Sequence, residues 1–310
     1  METFIGERNM NSDILVTVLT PTYNRLATLP RLLKSLFDQT CKNFQWLVID
    51  DGSTDETDDY FEQLKKQHVP FSWEYHKKEN GGKHTALNAS HPYIKGSLVL
   101  ILDSDDYLTN DAIETICAEW PTYANQNQIG IINYFRGNTN GEHYSVANVN
   151  DFYIDDDIHY RVNHRIRGDR CEVIRTDIFK KYPFPEYDGE RFMAESWLFN
   201  MIALNYKTVY RNKIIYICEY LEGGLSKTGR SLRMKSPLGM MDDCRSYLND
   251  EICLRARFKE MLLYWVYAKC AGYSFKKALS TSGRPLGMTL TVIPGTILYY
   301  YWKKKYLKGR

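Results

Sequence analysis

The stretch that decides the fold is Leu98-Val99-Leu100-Ile101-Leu102, which runs straight into Asp103-Ser104-Asp105-Asp106. Five apolar residues without alternation read as a strand buried on both faces. A turn of acids directly after such a strand places charge at its carboxyl end. Upstream, Ile14-Leu15-Val16-Thr17-Val18-Leu19 is a similar run that stops at Thr20-Pro21-Thr22-Tyr23-Asn24, and Trp46-Leu47-Val48-Ile49 stops at Asp50-Asp51-Gly52-Ser53-Thr54-Asp55. Between them Leu29, Leu32, Leu33, Leu36 and Phe37 recur at helical spacing, with Thr28 as an N-cap. Phe71 to Tyr75 alternates as a third strand, Gly81-Gly82 opens a short helix through Ala89, and a further helix follows Asn110 or Asp111. Strands and helices alternating at this length predict an α/β fold, with a mainly parallel central sheet flanked by helices. Ligands in such sheets bind beyond the carboxyl ends of the strands, where these polar turns lie.

From about 130 to 240 the pattern is irregular, with short strands. Beyond about 242 it turns helical, with Leu254, Phe258, Met261, Leu262, Trp265 and Val266 on an apolar spacing. The expected division is one domain over 1–240, with an alternating half over about 12–120 and an irregular half over about 121–240, and a helical C-terminal region over 241–310.

The 310 residues are 44% hydrophobic and 25% charged, which excludes a disordered or collagenous chain, and a net charge of +2 excludes a generally basic nucleic-acid binder. Seven cysteines stand apart, without the CxxC spacing of a zinc or redox site, and so read as core thiols of a reducing compartment. The opening METFIGERNMNSD lacks a basic start followed by an apolar run, so a cytoplasmic location is expected.

Asp103 and Asp105, two apart, would share a direction on an extended strand end, giving hard oxygen donors suited to Mg²⁺ or Mn²⁺. The plainer reading is an acidic turn that caps the next helix. Asp50-Asp51-Gly52-Ser53-Thr54-Asp55 likewise reads either as Asx-turn chemistry or as a site where Asp51 accepts hydrogen bonds from a base or ribose. It lacks the glycines and lysine of GxGxxG and GxxxxGK[ST], which disfavours a dehydrogenase or P-loop enzyme.

Taken together, TPTYNR (20–25), DDGSTD (50–55), NGGKHTALN (80–88) and LDSDD (102–106) resemble family 2 glycosyltransferases. The resemblance is strong over roughly 12–120 and weaker beyond. It implies a GT-A fold and an inverting, metal-dependent transfer of a sugar from a nucleotide donor, most simply a UDP-sugar. It also implies a glycan or lipid-linked acceptor and a role in surface polysaccharide assembly. On that footing Pro21, Thr22, Tyr23 and Arg25 line the nucleobase, Asp51 binds the base with Ser53 beside it, and Gly82 and Lys83 lie near the nucleotide. Asp103, Ser104 and Asp105 match the DXD motif, with Asp103 and Asp105 holding Mn²⁺ or Mg²⁺ and Asp106 a further participant. The family's base is an acid at the start of a helix. Aligning Leu198 to Ala203 on its pattern puts Glu195 in that role and Ala194 where a preceding acid is usual; Glu190 is the rival. No histidine follows His164, so no late histidine serves as a metal ligand. Ser226, Lys227, Arg230 and Arg233 read as a basic loop after Gly223-Gly224. The alternatives are a sugar nucleotidyltransferase, disfavoured by a first loop without glycine, and a non-catalytic nucleotide-sugar-binding protein.

The tail carries its own signal. Residues 285–302 hold no charge, and Tyr299-Tyr300-Tyr301-Trp302 precede KKKYLKGR, whose five basic residues leave 35 bases against 38 acids in the other 302 residues. Pro294-Gly295 and three threonines weaken a membrane span. The expectation is a monotopic helix at 285–310, peripheral at the inner face of the membrane; the alternative is a helix folded onto the protein's own core.

Overall fold

The computed structural model describes residues 15–143, 152–166, 168–218 and 225–307. Its strands are β1 (Val16–Thr22), β2 (Phe44–Asp50), β3 (Ser72–Lys77), β4 (Leu98–Ile101), β5 (Tyr107–Leu108), β6 (Ile129–Gly137), β7 (Phe152–Asp155), β8 (Arg170–Arg175) and β9 (Lys207–Ile217). They form one sheet in the order β3-β2-β1-β4-β8-β6-β9-β5, with β7 also on β9. The helices are α1 (Leu29–Phe37), α2 (Thr57–Leu64), α3 (Lys83–Ala89), α4 (Ala112–Glu119), α5 (Thr176–Lys181), α6 (Ser196–Ala203), α7 (Leu225–Lys235), α8 (Pro237–Ser246), α9 (Leu254–Cys270), α10 (Phe275–Thr281), α11 (Pro285–Thr289) and α12 (Val292–Trp302). The α/β class and the helical C-terminal region are as expected.

The period of two in the first strands separates two cores. Val16, Val18, Phe44, Trp46, Val48, Leu98 and Leu100 pack with Leu29, Leu32, Leu36 and Phe61 of α1 and α2. Leu19, Leu47, Ile49, Val99 and Ile101 face the other way, onto Ala86, Leu87, Ile178, Leu198 and Ile202. Each side chain buried in this way contributes about 1.5–3 kcal/mol, which is why the strands tolerate no outward polar face.

Two local expectations change. β1 continues through Pro21 and Thr22, in register with Ile49 and Asp50 of β2. Proline is tolerated because residue 21 faces the same side as Leu19, toward β4, whose pairing with β1 has already ended at Leu19↔Ile101. Thr28 stands at the N-cap of α1 without capping it: its hydroxyl donates to the Ser104 carbonyl at 2.7 Å.

Parallel register is confined to β3-β2-β1-β4 and to the β6–β9 pair, so the sheet is mixed. β8 runs antiparallel between β4 and β6, and β5 and β7 run antiparallel to β9. The carboxyl ends of β1, β2, β4, β6 and β9 and the amino end of β8 therefore share one edge. That edge holds the acidic turns.

Candidate active site

The first two loops are clasped together. Asn24, at φ 51°, donates its N–H to the Ser53 hydroxyl at 2.8 Å, while its side-chain oxygen accepts the Thr54 N–H at 2.7 Å. Pro21 and Thr22 are buried, the Thr22 hydroxyl having no hydrogen-bond partner, and Tyr23 is exposed. Gly52, at φ 81°, is required where the loop meets Asn80: a Cβ there would lie 2.8 Å from the Asn80 nitrogen.

Asp51 is buried beneath that clasp. Its carboxylate accepts from Lys78 Nζ at 2.8 Å, the Gly81 N–H at 2.9 Å, the Gly82 N–H at 2.6 Å and the Asn80 amide at 3.2 Å. Asp50 accepts the Tyr75 hydroxyl at 2.6 Å and the Ser53 N–H at 2.8 Å. Both acids thus hold loops together.

The DSDD segment is not an extended strand end. It is a turn, with the Asp106 N–H donating to the Asp103 carbonyl at 3.0 Å, so the alternation that would align Asp103 with Asp105 does not apply. Asp103 pairs with Lys83 and lies 3.5 Å from Arg136, whereas Asp105 faces Arg25 at 3.7 Å. Ser104 is buried. Asp106 accepts the Tyr216 hydroxyl at 2.7 Å, and that same oxygen accepts the Asp103 N–H at 3.0 Å. Burial, reinforced by Asp103 and Asp105, pushes the Asp106 carboxyl up to about 7 against its bond to Tyr216. Burial also opposes charge on Asp103, but Lys83 and Arg136 hold it below the usual carboxylate range.

Lys83 joins the two halves of the chain. It starts α3, and besides Asp103 it reaches Glu195 at 2.5 Å. Burial works against its charge, and the two carboxylates more than offset that, raising its pKa. Glu195 occupies the N-cap position of α6, and Ser196 donates its hydroxyl to Asp243 of α8 at 2.7 Å. Gly82, at φ 100°, sits so close to the Arg191 carbonyl that a Cβ would fall 2.2 Å from its oxygen. Glu190 is occupied elsewhere: it accepts the Leu238 and Gly239 N–H groups, each at 2.8 Å, at the start of α8.

Arg136, Tyr216 and Glu172 were invisible to sequence reading. Arg136 and Tyr216 are register partners on β6 and β9, with the guanidinium 4.2 Å from the ring centroid. Glu172, pushed up to about 7 by burial against Arg161 and Arg136, enters from the reversed strand β8. Nothing local marks them; only the pairing of strands far apart in sequence brings Arg136 and Tyr216 to Asp103, and Glu172 under the influence of Arg136. Arg230 and Arg233 lie on α7 rather than a loop, the former 4.0 Å above the Trp302 ring. Gly223, Gly224 and the side chains of Ser226 and Lys227 lie outside the described residues. Among the described residues, no group of three or more His, Cys, Asp and Glu side chains is arranged to hold a metal ion.

The family described as Glycosyl transferase family 2 matches residues 17–183. The glycosyltransferase GlyG of Streptococcus pneumoniae serotype 4 (strain ATCC BAA-334 / TIGR4) is 24% identical over 265 residues, 80% of this chain and 86% of that protein. Three longer relatives are spanned over only 12% to 32% of their length. In fold, the chain is similar to S. aureus TarS 1-349 in complex with UDP-GlcNAc, with a TM-score of 0.61 at 18% identity, covering 95% of this chain and 81% of that one. It is also similar to the Pyrobaculum calidifontis mannosyltransferase PcManGT in complex with GDP-Man and Mn²⁺, with a TM-score of 0.56 at 16% identity, covering 94% and 83%.

Proposed function

The chain belongs to glycosyl transferase family 2, and from that premise we propose that it is an inverting transferase moving a sugar from a UDP-sugar to a hydroxyl of a glycan or lipid-linked acceptor in surface polysaccharide assembly. The observation that carries this reading is Lys83 reaching Asp103 and Glu195 together. It joins a cation and acid suited to a diphosphate with an acid suited to proton abstraction. The structural likeness to TarS, solved with UDP-GlcNAc, supports a UDP-sugar as the donor class.

The donor lies across the carboxyl ends of β1, β2 and β4. Tyr23 and Arg25 approach the base, while Asp51 fixes the floor by holding the 78–82 segment. Lys83 supplies positive charge to the departing diphosphate. The acids of the turn fit a hard cation: they are oxygen donors, and Asp103 and Asp105 add their repulsion to the burial that raises Asp106. They are too few to enclose one, so the rest of its shell would fall to donor phosphates and water. Mn²⁺ or Mg²⁺ held by Asp103 and Asp105 would neutralise charge growing on the nucleoside diphosphate. The acceptor oxygen bonds to the anomeric carbon as the bond from that carbon to phosphate oxygen breaks, with inversion. Glu195 takes the hydroxyl proton, and the nucleoside diphosphate leaves. The Leu238 and Gly239 N–H groups that Glu190 accepts at the start of α8 favour Glu195 over it in this role.

The test is release of nucleoside diphosphate from UDP-, GDP- and dTDP-sugars with Mn²⁺, with and without glycan acceptors. Release from none of them would overturn the reading. Glu195→Gln should bind donor normally and lower transfer by roughly 10²–10⁴-fold. Glu190→Gln should keep transfer and lower stability by about 1 kcal/mol through the lost cap; the opposite pattern would exchange their roles.

A further inference from the structure

We propose that the outward face of α11 and α12 is a docking surface for a bilayer that carries anionic lipid. Leu286, Leu290, Ile293, Ile297 and Tyr300 are 87%, 72%, 75%, 67% and 60% exposed. They follow one another at steps of four, three, four and three, which is one stripe of a helix. Leu290 and Thr291, between the two helices, keep right-handed helical backbone, so the spacing carries across.

The opposite face is already used. Met288 and Trp302 are buried with α9, the Trp265 indole donates to Thr296 at 2.8 Å, and a Cβ on Gly295 would lie 2.8 Å from the Trp265 ring. Folding onto the protein's own core therefore accounts for one side of the segment and leaves the stripe bare. No helix of the described residues is long and apolar enough to cross a membrane. The eleven residues of α12 span about 16 Å, half of a hydrocarbon core. Such a helix lies on a surface.

Charge identifies the surface. From Met261 to Arg310 the sequence has no Asp or Glu and nine Lys and Arg, so the other 260 residues carry 31 bases and all 38 acids. Exposed Tyr300 and Tyr301 lead directly into exposed Lys303, Lys304 and Lys305, an aromatic band followed by cations of the kind that meets a headgroup layer. A second copy of the segment offers no acid to answer those lysines. The platform also connects to the site: α12 packs on α9, α9 on α8, and α8 holds Ser196 beside Glu195 through Asp243. If the acceptor is lipid-linked, which rests on the proposed function, docking presents the site to the membrane that carries it.

The experiment is co-sedimentation of the full chain with vesicles of phosphatidylcholine alone and of equal parts phosphatidylcholine and phosphatidylglycerol. Binding to the mixed vesicles only, weakened by high salt, is expected. Ile293→Ser with Ile297→Ser should abolish it, and Lys303→Gln, Lys304→Gln and Lys305→Gln together should weaken it on the order of a hundredfold. Circular dichroism and donor hydrolysis should be unchanged in both variants, which separates failure of docking from failure of the transferase reading. No binding to mixed vesicles, or equal binding to both, would overturn the proposal. So would a dimer of the full chain that Ile297→Ser dissociates without any vesicle binding.

Discussion

Asp50-Asp51 and Asp103-Ser104-Asp105-Asp106 are neighbouring strand ends of similar composition, one strand apart in the sheet, and the protein uses them in opposite ways. At the first, the partners are backbone N–H groups, an amide and one lysine of the adjoining loops, and a tyrosine of β3. At the second, besides the Tyr216 hydroxyl on Asp106, the partners are long cations: Lys83 and Arg136 on Asp103, Arg25 on the Asp105 carboxylate, and Arg31, which donates to the Asp105 carbonyl. Short fixed donors make a scaffold. Long cations can be redistributed when phosphate arrives, because the acids they leave can turn to a metal. Acidity at a strand end therefore says little until the identity of its partners is known.

Three substitutions test that contrast. Asp105→Ala should remove metal-dependent nucleotide binding and lower transfer by about a hundredfold or more, with little loss of stability, as read by calorimetric titration of UDP with and without Mn²⁺. Equal UDP affinity in both conditions would place the metal elsewhere. Asp51→Ala should do the reverse first: it strands Lys78 and two N–H groups, costing about 2–4 kcal/mol in denaturant unfolding. If it unfolds like the parent, the scaffold description of that strand end fails. The smallest effect is the pH response of Asp106 in chelator-treated protein. Its folded pKa of about 7 lies above the unfolded value, so its contribution is complete below about pH 4 and declines as pH rises through 7. Asp106→Asn should remove about 1–3 kcal/mol of that decline between pH 5 and 8. Some slope should remain, because Glu172 and Asp243 are also pushed up to about 7.

The same contrast explains what was legible in the sequence. β1, β2 and β4 announced themselves because burial on both faces leaves an uninterrupted apolar run, α1 because its apolar residues recur at helical spacing, and α3 because Gly81-Gly82 opens it. The helix start at Glu195 was legible as well. The region after 129 read as irregular although it holds the nine-residue β6 and the eleven-residue β9. Those strands mix Asn133, Arg136, Arg211 and Lys213 into their length, since they serve the site at one end and solvent at the other. Their register is broken by bulges and set against a strand running the other way. Lys83, legible by resemblance, and Arg136, legible by nothing, meet at one carboxylate.

Gly82 gives the cleft its width. Lys83 opens α3 and Glu195 stands at the start of α6, and the two segments touch where Gly82 meets the Arg191 carbonyl. A single added methyl would act there as a shim, forcing the halves apart by an amount comparable to an atomic radius. The span between Lys83 and Glu195 is thus calibrated by an omitted side chain. Retuning the enzyme for a bulkier acceptor would begin at that seam, away from any residue that touches the sugar.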